Sequence, residues 1–371
     1  MKYDLAIVGG GLGGLCLAIQ LADAHYKVIL FEKEVYPFHK VCGEYISMES
    51  FPFLQRLGMP LAELNLPRIK QLKVSAPNGK VLEQALGLGG FGISRYTLDA
   101  NLAEIAIKKG VQVKTLTKVN EVVFMQDFFD IKTTQGIFQA TLVCGAYGKR
   151  AVLDQQLNRP RPSTKKNYIG VKYHIKLNFP NDLIELHNFK NGYCGISKVD
   201  GDKYCLCYLS DAQNLKEHGN DIKKMEVEVL MKNPFLKQYF NEATFLYKSP
   251  LTISQISFAK KSAVHQHVLM LGDAAGNIAP LCGNGMSMAM HASMLAFEMI
   301  ASFLENKISR AQLEAYYAKI WHQHFEQRIK VGAFLQHTFG KEILTNLSIG
   351  ILSKFPKMTN RLIEMTHGKP F

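Results

Sequence analysis

"IVGGGLGGLCLAIQLADAHYKVILFEK" (Ile7–Lys33) decides how the chain begins to fold. The run Tyr3–Gly11 is apolar and ends in glycines, as a strand buried on both faces does. Leu12–His25 then carries helical periodicity, and Lys27–Glu32 reads as a second buried strand, so the stretch is one strand-helix-strand unit. Gly9, Gly11 and Gly14 stand at its turn in the spacing G-x-G-x-x-G. The first glycine allows the tight turn and the second lets a pyrophosphate approach the backbone. The third lets helix and strand pack closely, with the helix N-terminus facing the phosphates. Glu32 closes the second strand, where a carboxylate can accept hydrogen bonds from a ribose, and Lys33 follows it. His25 stands where longer forms of the pattern place a glycine, which bears on packing rather than binding.

With 371 residues, 47% of them hydrophobic and 20% charged, the chain can bury a large core. No repeat or low-complexity tract interrupts it. The most apolar helical stretch, Met286–Leu304, contains His291 and Glu298 and reads as a packed core helix rather than a membrane span. The chain starts directly on a strand-like run without a basic, cleavable leader, and its seven cysteines are odd in number and scattered, so reduced thiols and a cytoplasmic location are expected. Cys205 and Cys207 share one strand face, but no second pair or neighbouring histidine in sequence completes a ligand set, and no metal is expected. His265, His267, His322 and His324 form no recognisable catalytic set. The net charge of +13 suits nucleic acid, an anionic membrane surface or a phosphorylated ligand. Dispersed lysines without an arginine-rich or aromatic-interleaved run argue against nucleic acid. The C-terminal stretch from Lys341 to Phe371 mixes apolar faces with Lys and Arg, which suits either peripheral membrane contact or packing on the main body.

Farther along, strand alternation before Asn78-Gly79 predicts a hairpin. Tyr96–Gly110 predicts an amphipathic helix, and four strand-like runs follow it to Gly148. Between Lys166 and Ser257 alternating stretches predict a mostly antiparallel sheet with one helix, and a buried strand returns at "HVLMLGDAAG". The fold class expected is α/β: a Rossmann-like cofactor domain interleaved with an antiparallel-sheet substrate domain and a helical C-terminus. The segments assigned to the cofactor domain are 1–67, 96–160 and 258–330. Those of the substrate domain are 68–95 and 161–257, with C-terminal helices over 331–371.

The glycine fingerprint alone leaves NAD and FAD open. "LMLGDAAGNIAPLCGNGMSMAMHASMLAFEMI" (Leu269–Ile300) strongly resembles the second FAD signature of the aromatic-hydroxylase and geranylgeranyl-reductase superfamily. The glutathione-reductase-type FAD domain of that superfamily is therefore implied. So is a ribityl-binding role for Asp273, which follows Gly272. Pro280, Gly283 and Gly285 would run under the flavin ring, and Met286 would lie in the first turn of a helix aimed at it. "HKVCGEYIS" (His39–Ser47) resembles the K-x-C-G-x-G segment of geranylgeranyl reductases, with Tyr45 in place of glycine. It implies that Lys40 and Cys42 lie near the cofactor. "ISRYTLDANLAEIA" resembles I-x-R-x-x-L-D-x-x-L, which places Arg95 there too. In "NGYCGISKVDGDKYCLCYL" the family's tryptophan and proline are Gly195 and Lys198, a departure that weakens an assignment to the flavin-dependent halogenases. The family's G-A-D-G reads Gly145-Ala146-Tyr147-Gly148, and loss of that acid sets direct reduction by NAD(P)H against a redox-protein donor.

The resemblance implies an FAD-dependent reductase acting on carbon-carbon double bonds of a small hydrophobic, prenylated or long-chain molecule. Cys42 and Glu44 are the candidate catalytic residues, Cys42 as a proton donor and Glu44 as a group that orients substrate or cofactor. A flavin monooxygenase acting on a lipophilic aromatic or polyketide shares the same motifs. A non-catalytic prenyl-binding protein on the same scaffold is the third reading.

Overall fold

The computed structural model describes residues 2–149, 152–159, 167–256, 261–276, 283–338 and 341–371. The chain opens with β1 (Lys2–Val8), α1 (Leu12–Asp23) and β2 (Val28–Phe31). All four residues of β2 are buried, as the continuous apolar run requires. Helix α1 stops two residues before His25, which adopts φ +65° and makes the turn into β2. β3 (Tyr45–Ser47) and α2 (Phe51–Arg56) lead to the hairpin β4 (Arg68–Ser75) and β5 (Val81–Gly92), which turns at Asn78-Gly79 with Gly79 at φ +84°. Then come α3 (Arg95–Lys108), β6 (Gln112–Lys114), β7 (Val119–Met125), β8 (Phe128–Thr133), β9 (Gly136–Gly145) and the short α4 (Val152–Gln156).

The middle of the chain holds β10 (Tyr168–Lys176), β11 (Leu183–Phe189), β12 (Gly192–Lys198) and β13 (Tyr204–Asp211). They are followed by α5 (Ala212–Glu217), α6 (Ile222–Glu228), α7 (Pro234–Glu242), β14 (Thr244–Phe245) and β15 (Leu251–Ile256). β16 (Val264–His265) and β17 (Val268–Met270) return to the first sheet, and α8 (Gly285–Leu304), α9 (Arg310–Thr338), α10 (Glu342–Leu352) and α11 (Pro356–Glu364) complete the fold.

Among the described residues the strands form two sheets. The first runs β16-β17-β9-β1-β2-β6, parallel between β17 and β6, with the antiparallel pair β7 and β8 attached to the start of β9. Its central strands place Leu5, Ala6, Ile7, Ile29 and Leu30 wholly out of solvent. The second runs β14-β10-β13-β12-β11-β4-β5-β3, with β15 on β10. Helix α8 is long and apolar enough to cross a membrane by composition, yet it packs against α1 and α9 and buries Met290, Ala296 and Ile300.

The second sheet is mostly antiparallel, as expected, with β4 and β11 its one parallel pair among the described residues. Three expectations need correction. β3 lies inside the segment 1–67 but pairs with β5 of the second sheet. Three helices, α5 to α7, occupy the region where one is expected, because Asp211, Asp221 and Asn233 each cap a separate start. The divide expected at 330/331 falls inside the continuous helix α9.

The two layers are locked beside the start of α3. Ser94 caps that helix by accepting from the Thr97 N–H, while both hydroxyls donate to Asp200 in the β12–β13 turn, Ser94 at 3.1 Å and Thr97 at 2.8 Å. Arg95, the next residue, is thereby fixed where the sheets meet.

Candidate cofactor and substrate site

One cavity of ≈1890 Å³ runs between the sheets, from Gly9 and Glu32 at one end, past Cys42 and Gly285, to Tyr193 and Ile256 at the other. A pocket for one small ligand holds roughly 300–1,000 Å³, so this space suits a large cofactor and a substrate together.

The glycines build the first end. Gly9 adopts φ +105°, and a Cβ there would stand 2.5 Å from the Ala146 carbonyl oxygen. A Cβ on Gly14 would stand 2.3 Å from the Gly9 oxygen, so the helix crosses the strand too closely for any side chain. Gly11 occupies the N-cap of α1 without a side-chain cap, leaving the first helical amides open toward the cavity. Glu32 accepts the Gly10 N–H at 2.9 Å through one carboxylate oxygen and the Glu34 N–H at 3.1 Å through the other. Each oxygen keeps a free lone pair. Lys33 lies at the rim, its side chain 70% exposed beside Glu34.

Lys40 and Arg95 converge on one acid. Arg95 grips Asp99 with two hydrogen bonds of 2.7 Å, and the Lys40 ammonium donates to the same carboxylate at 2.9 Å. Burial opposes ionisation of Asp99, but Arg95 and then Lys40 outweigh it and hold the carboxyl below its ordinary range. Two cations on one anion leave a surplus positive charge. It faces the glycine turn: a Cβ on Gly11 would lie 3.8 Å from an Arg95 nitrogen and 4.0 Å from the Lys40 nitrogen. A helix N-terminus, a side-chain-free turn and that surplus charge together fit a diphosphate.

The second signature supplies the other wall. Gly272 takes φ +55°, and Asp273 beside it lines the cavity. Gly283 takes φ +67° against the Tyr45 ring, while Gly285 and Met286 open α8 onto the cavity. Helix α8 has no side-chain cap, and near its start the buried Asn284 Oδ1 and Ser287 Oγ have no hydrogen-bond partner. Because no side chain caps α8, the backbone N–H groups of its first turn are available to an acceptor on a ligand. Pro280 lies outside the described residues.

Cys42 stands on the cavity wall between these ends, its sulfur 3.6 Å from that of Met286. Glu44 behaves differently. Its side chain has no exposed surface, and its backbone takes φ +57°. One carboxylate oxygen accepts the Arg95 N–H at 2.8 Å and the ammonium of the buried Lys172, while the other lies 2.6 Å from His174 Nε2. His174 Nδ1 meets the Tyr247 hydroxyl at 2.7 Å, and that hydroxyl lies 3.2 Å from His39 on the cavity wall. Burial raises the Glu44 pKa, but His174 and Lys172 overcome it and hold the carboxyl below its ordinary range. Glu44 therefore stands as a buried anion that clamps the Cys42 loop, its carboxylate taken up by Lys172, His174 and the Arg95 N–H.

Lys172, His174, Tyr247 and Asp99 were not singled out from sequence. The signal available was Lys172 and His174 two residues apart in an otherwise apolar strand, which puts both on one face. Glu44, His174 and Cys205 bring their ligand atoms within 4.8 Å of one another, a proximity invisible in sequence. There the Lys172 ammonium already holds the carboxylate.

Tyr147 lies on the wall as well. Its hydroxyl donates to Asp154 at 2.8 Å and accepts from Arg159 at 3.1 Å. Arg159 in turn donates to the Ala274 carbonyl oxygen at 2.9 Å. The ring thus ties the end of β9 to α4 and to the Asp273 turn.

Comparison with known proteins gives three kinds of likeness. The sequence profile of the family described as FAD binding domain matches residues 2–327. Conditioned medium factor receptor 1 of Dictyostelium discoideum is 26% identical over 90% of this chain and 71% of its own length. A digeranylgeranylglycerophospholipid reductase of Methanococcus vannielii is 22% identical over 86% of this chain and 82% of its own. Among solved structures, the flavin-dependent brominase Bmp2 superposes with a TM-score of 0.84 at 16% identity, covering 99% of this chain and 93% of that one. At that identity the likeness concerns the fold.

Proposed function

The chain belongs to the FAD binding domain family and is an FAD-dependent oxidoreductase, and from that premise we propose that it saturates carbon-carbon double bonds in a long apolar or prenylated molecule. The observation that carries this reading is the cavity itself. Beyond the diphosphate-shaped turn its lining includes Leu186, Tyr193, Leu209, Ile253 and Ile256 of the second sheet, which can cover an extended apolar chain. The lipid-reductase name of the Methanococcus vannielii relative supports the same substrate class.

Reduced FAD supplies the hydride equivalent for such a bond. Lys40, Arg95 and the α1 amides would hold its diphosphate, and Glu32 its adenosine ribose. Asp273 would hold the ribityl chain, and the uncapped start of α8 would face the ring. Cys42, whose side chain stands on the cavity wall, is the group proposed to deliver the proton to the second carbon. Glu44, Lys172 and His174 fix the loop that presents this thiol. For the electron source we propose NAD(P)H or a redox protein, the anchored Tyr147 favouring the protein donor.

Anaerobic incubation of the dithionite-reduced, flavin-loaded protein with a geranylgeranyl lipid tests the proposal. Saturated product detected by mass spectrometry supports it. Substrate left intact anaerobically, with oxygen consumed and a hydroxylated product formed in air, would assign a monooxygenase instead. Titration with NADPH, NADH and reduced ferredoxin, followed by flavin bleaching, identifies the donor.

A further inference from the structure

Helices α10 and α11 lie across β5, with α10 on the face of the second sheet that carries Leu186. Helix α10 is apolar on two faces. Its inner face puts Thr345 and Ile349 out of solvent, Ile349 packing with Val74, Ala76 and Leu82. Its outer face carries Ile343 at 82% exposure, Leu347 at 59% and Ile351 at 43%, spaced by four residues and so in one stripe. Phe355 and Met358 continue the exposed apolar surface into α11 at 56% and 48%. A contiguous exposed patch of this kind marks an interaction surface rather than chance exposure.

The charges around it identify the partner. From residue 341 onward the chain carries Lys341, Lys354, Lys357, Arg361 and Lys369 against Glu342 and Glu364 alone, and all five cations are exposed. The surplus has the same sign as the net charge of the whole chain, +13. Flexible aliphatic side chains bordered by lysines suit a lipid interface, where apolar groups enter the acyl boundary and ammonium groups reach up to phosphates. A protein-binding surface would centre on Trp, Tyr or Arg anchors, whereas the apolar stripe here is Ile343, Leu347, Ile351, Phe355 and Met358, with Arg361 among its bordering cations.

The position of the stripe adds a second argument. Ile349, on the reverse of α10, packs near Leu186, and Leu335 of α9 packs against Tyr193, Leu209 and Ile256. Leu186, Tyr193, Leu209 and Ile256 line the apolar end of the cavity. The end of α9 and the body of α10 therefore stand between that end and the exposed stripe.

We propose that the outer face of α10 and α11 docks on an anionic lipid bilayer, setting the apolar end of the cavity against the membrane. The docking stands on the stripe and its cations. That it serves substrate entry rests on the lipid-reductase reading.

The test is co-sedimentation of the full, flavin-loaded chain with vesicles of phosphatidylcholine alone or mixed equally with phosphatidylglycerol. Binding is expected to the mixed vesicles and to weaken as salt is raised. Ile343→Gln with Leu347→Gln, and separately Lys354→Glu with Lys357→Glu, should each lower partitioning by at least ~10-fold while leaving the flavin spectrum unchanged. Equal binding to both vesicle types, or binding that neither pair alters, overturns the proposal. A dimer in light scattering that the Ile343/Leu347 pair dissociates assigns the stripe to a second copy and also overturns it. A flavin-free protein that still binds mixed vesicles would sink the reductase reading and leave docking standing. A flavin-loaded protein that ignores vesicles would do the reverse.

Discussion

At the scale of single residues, the site depends on charges removed from water and then compensated. Glu44 is the sharpest case, since one carboxylate holds Lys172, His174 and the start of α3 together. Glu44→Gln keeps the shape and strands the Lys172 ammonium, so unfolding stability near neutral pH should drop by about 3 kcal/mol in denaturant titration. The sign with pH follows from the depressed carboxyl. Ionised Glu44 adds stability in full above its ordinary value of 4.5 and loses it as pH falls through the lower folded value, so the gap between wild type and variant should close in acid. A gap that stays constant down to pH ~2 would contradict the buried-anion assignment. Lys40 gives a binding counterpart: Lys40→Met leaves Asp99 paired with Arg95 but removes the surplus cation at the glycine turn. FAD affinity, followed by flavin fluorescence quenching, should weaken by about tenfold or more, the usual loss for one charge-assisted hydrogen bond.

At the scale of elements, the start of α1 illustrates how backbone contact sets a site. Gly14→Ala forces a methyl to 2.3 Å from the Gly9 oxygen, so helix and strand must separate. A cost of about 1–3 kcal/mol in stability is expected, together with weaker FAD binding. Gly43→Ala is the matched control, because a Cβ there meets nothing within 4 Å, and its denaturation midpoint should stay within error of wild type. Helices α5 to α7 teach a related lesson. The one helix expected there, "NDIKKMEVEVLMKN" (Asn220–Asn233), contains α6 behind its Asp221 cap, whereas Asn233-Pro234 at its end starts α7, which the periodicity does not signal.

At the scale of the whole molecule, the chain passes between the sheets repeatedly: β3 to β5 leave the first layer early, and β16 and β17 return to it late. The residues proposed to hold FAD come from both passes, so its binding should stabilise both layers together. Ligand at a hundred times its Kd adds about 2.7 kcal/mol, which should raise the calorimetric transition by several degrees as a single peak. Two peaks, with FAD shifting only one, would show that the layers unfold independently.

Sequence alone determined what depends on neighbours along the chain. The strand-helix-strand opening, the glycine spacing, the Asn78-Gly79 hairpin and the return at Gly272-Asp273 were all legible, because hydrophobic period and turn chemistry are local signals. Tertiary structure decided what depends on distant partners. It joined Glu44 to Lys172 and His174 across more than a hundred residues and paired β4 with β11 in parallel. It also turned one apolar face of α10 to the core and the other to solvent. A buried charge finds its counterion, and an apolar stripe its cover, only when folding brings remote segments into contact.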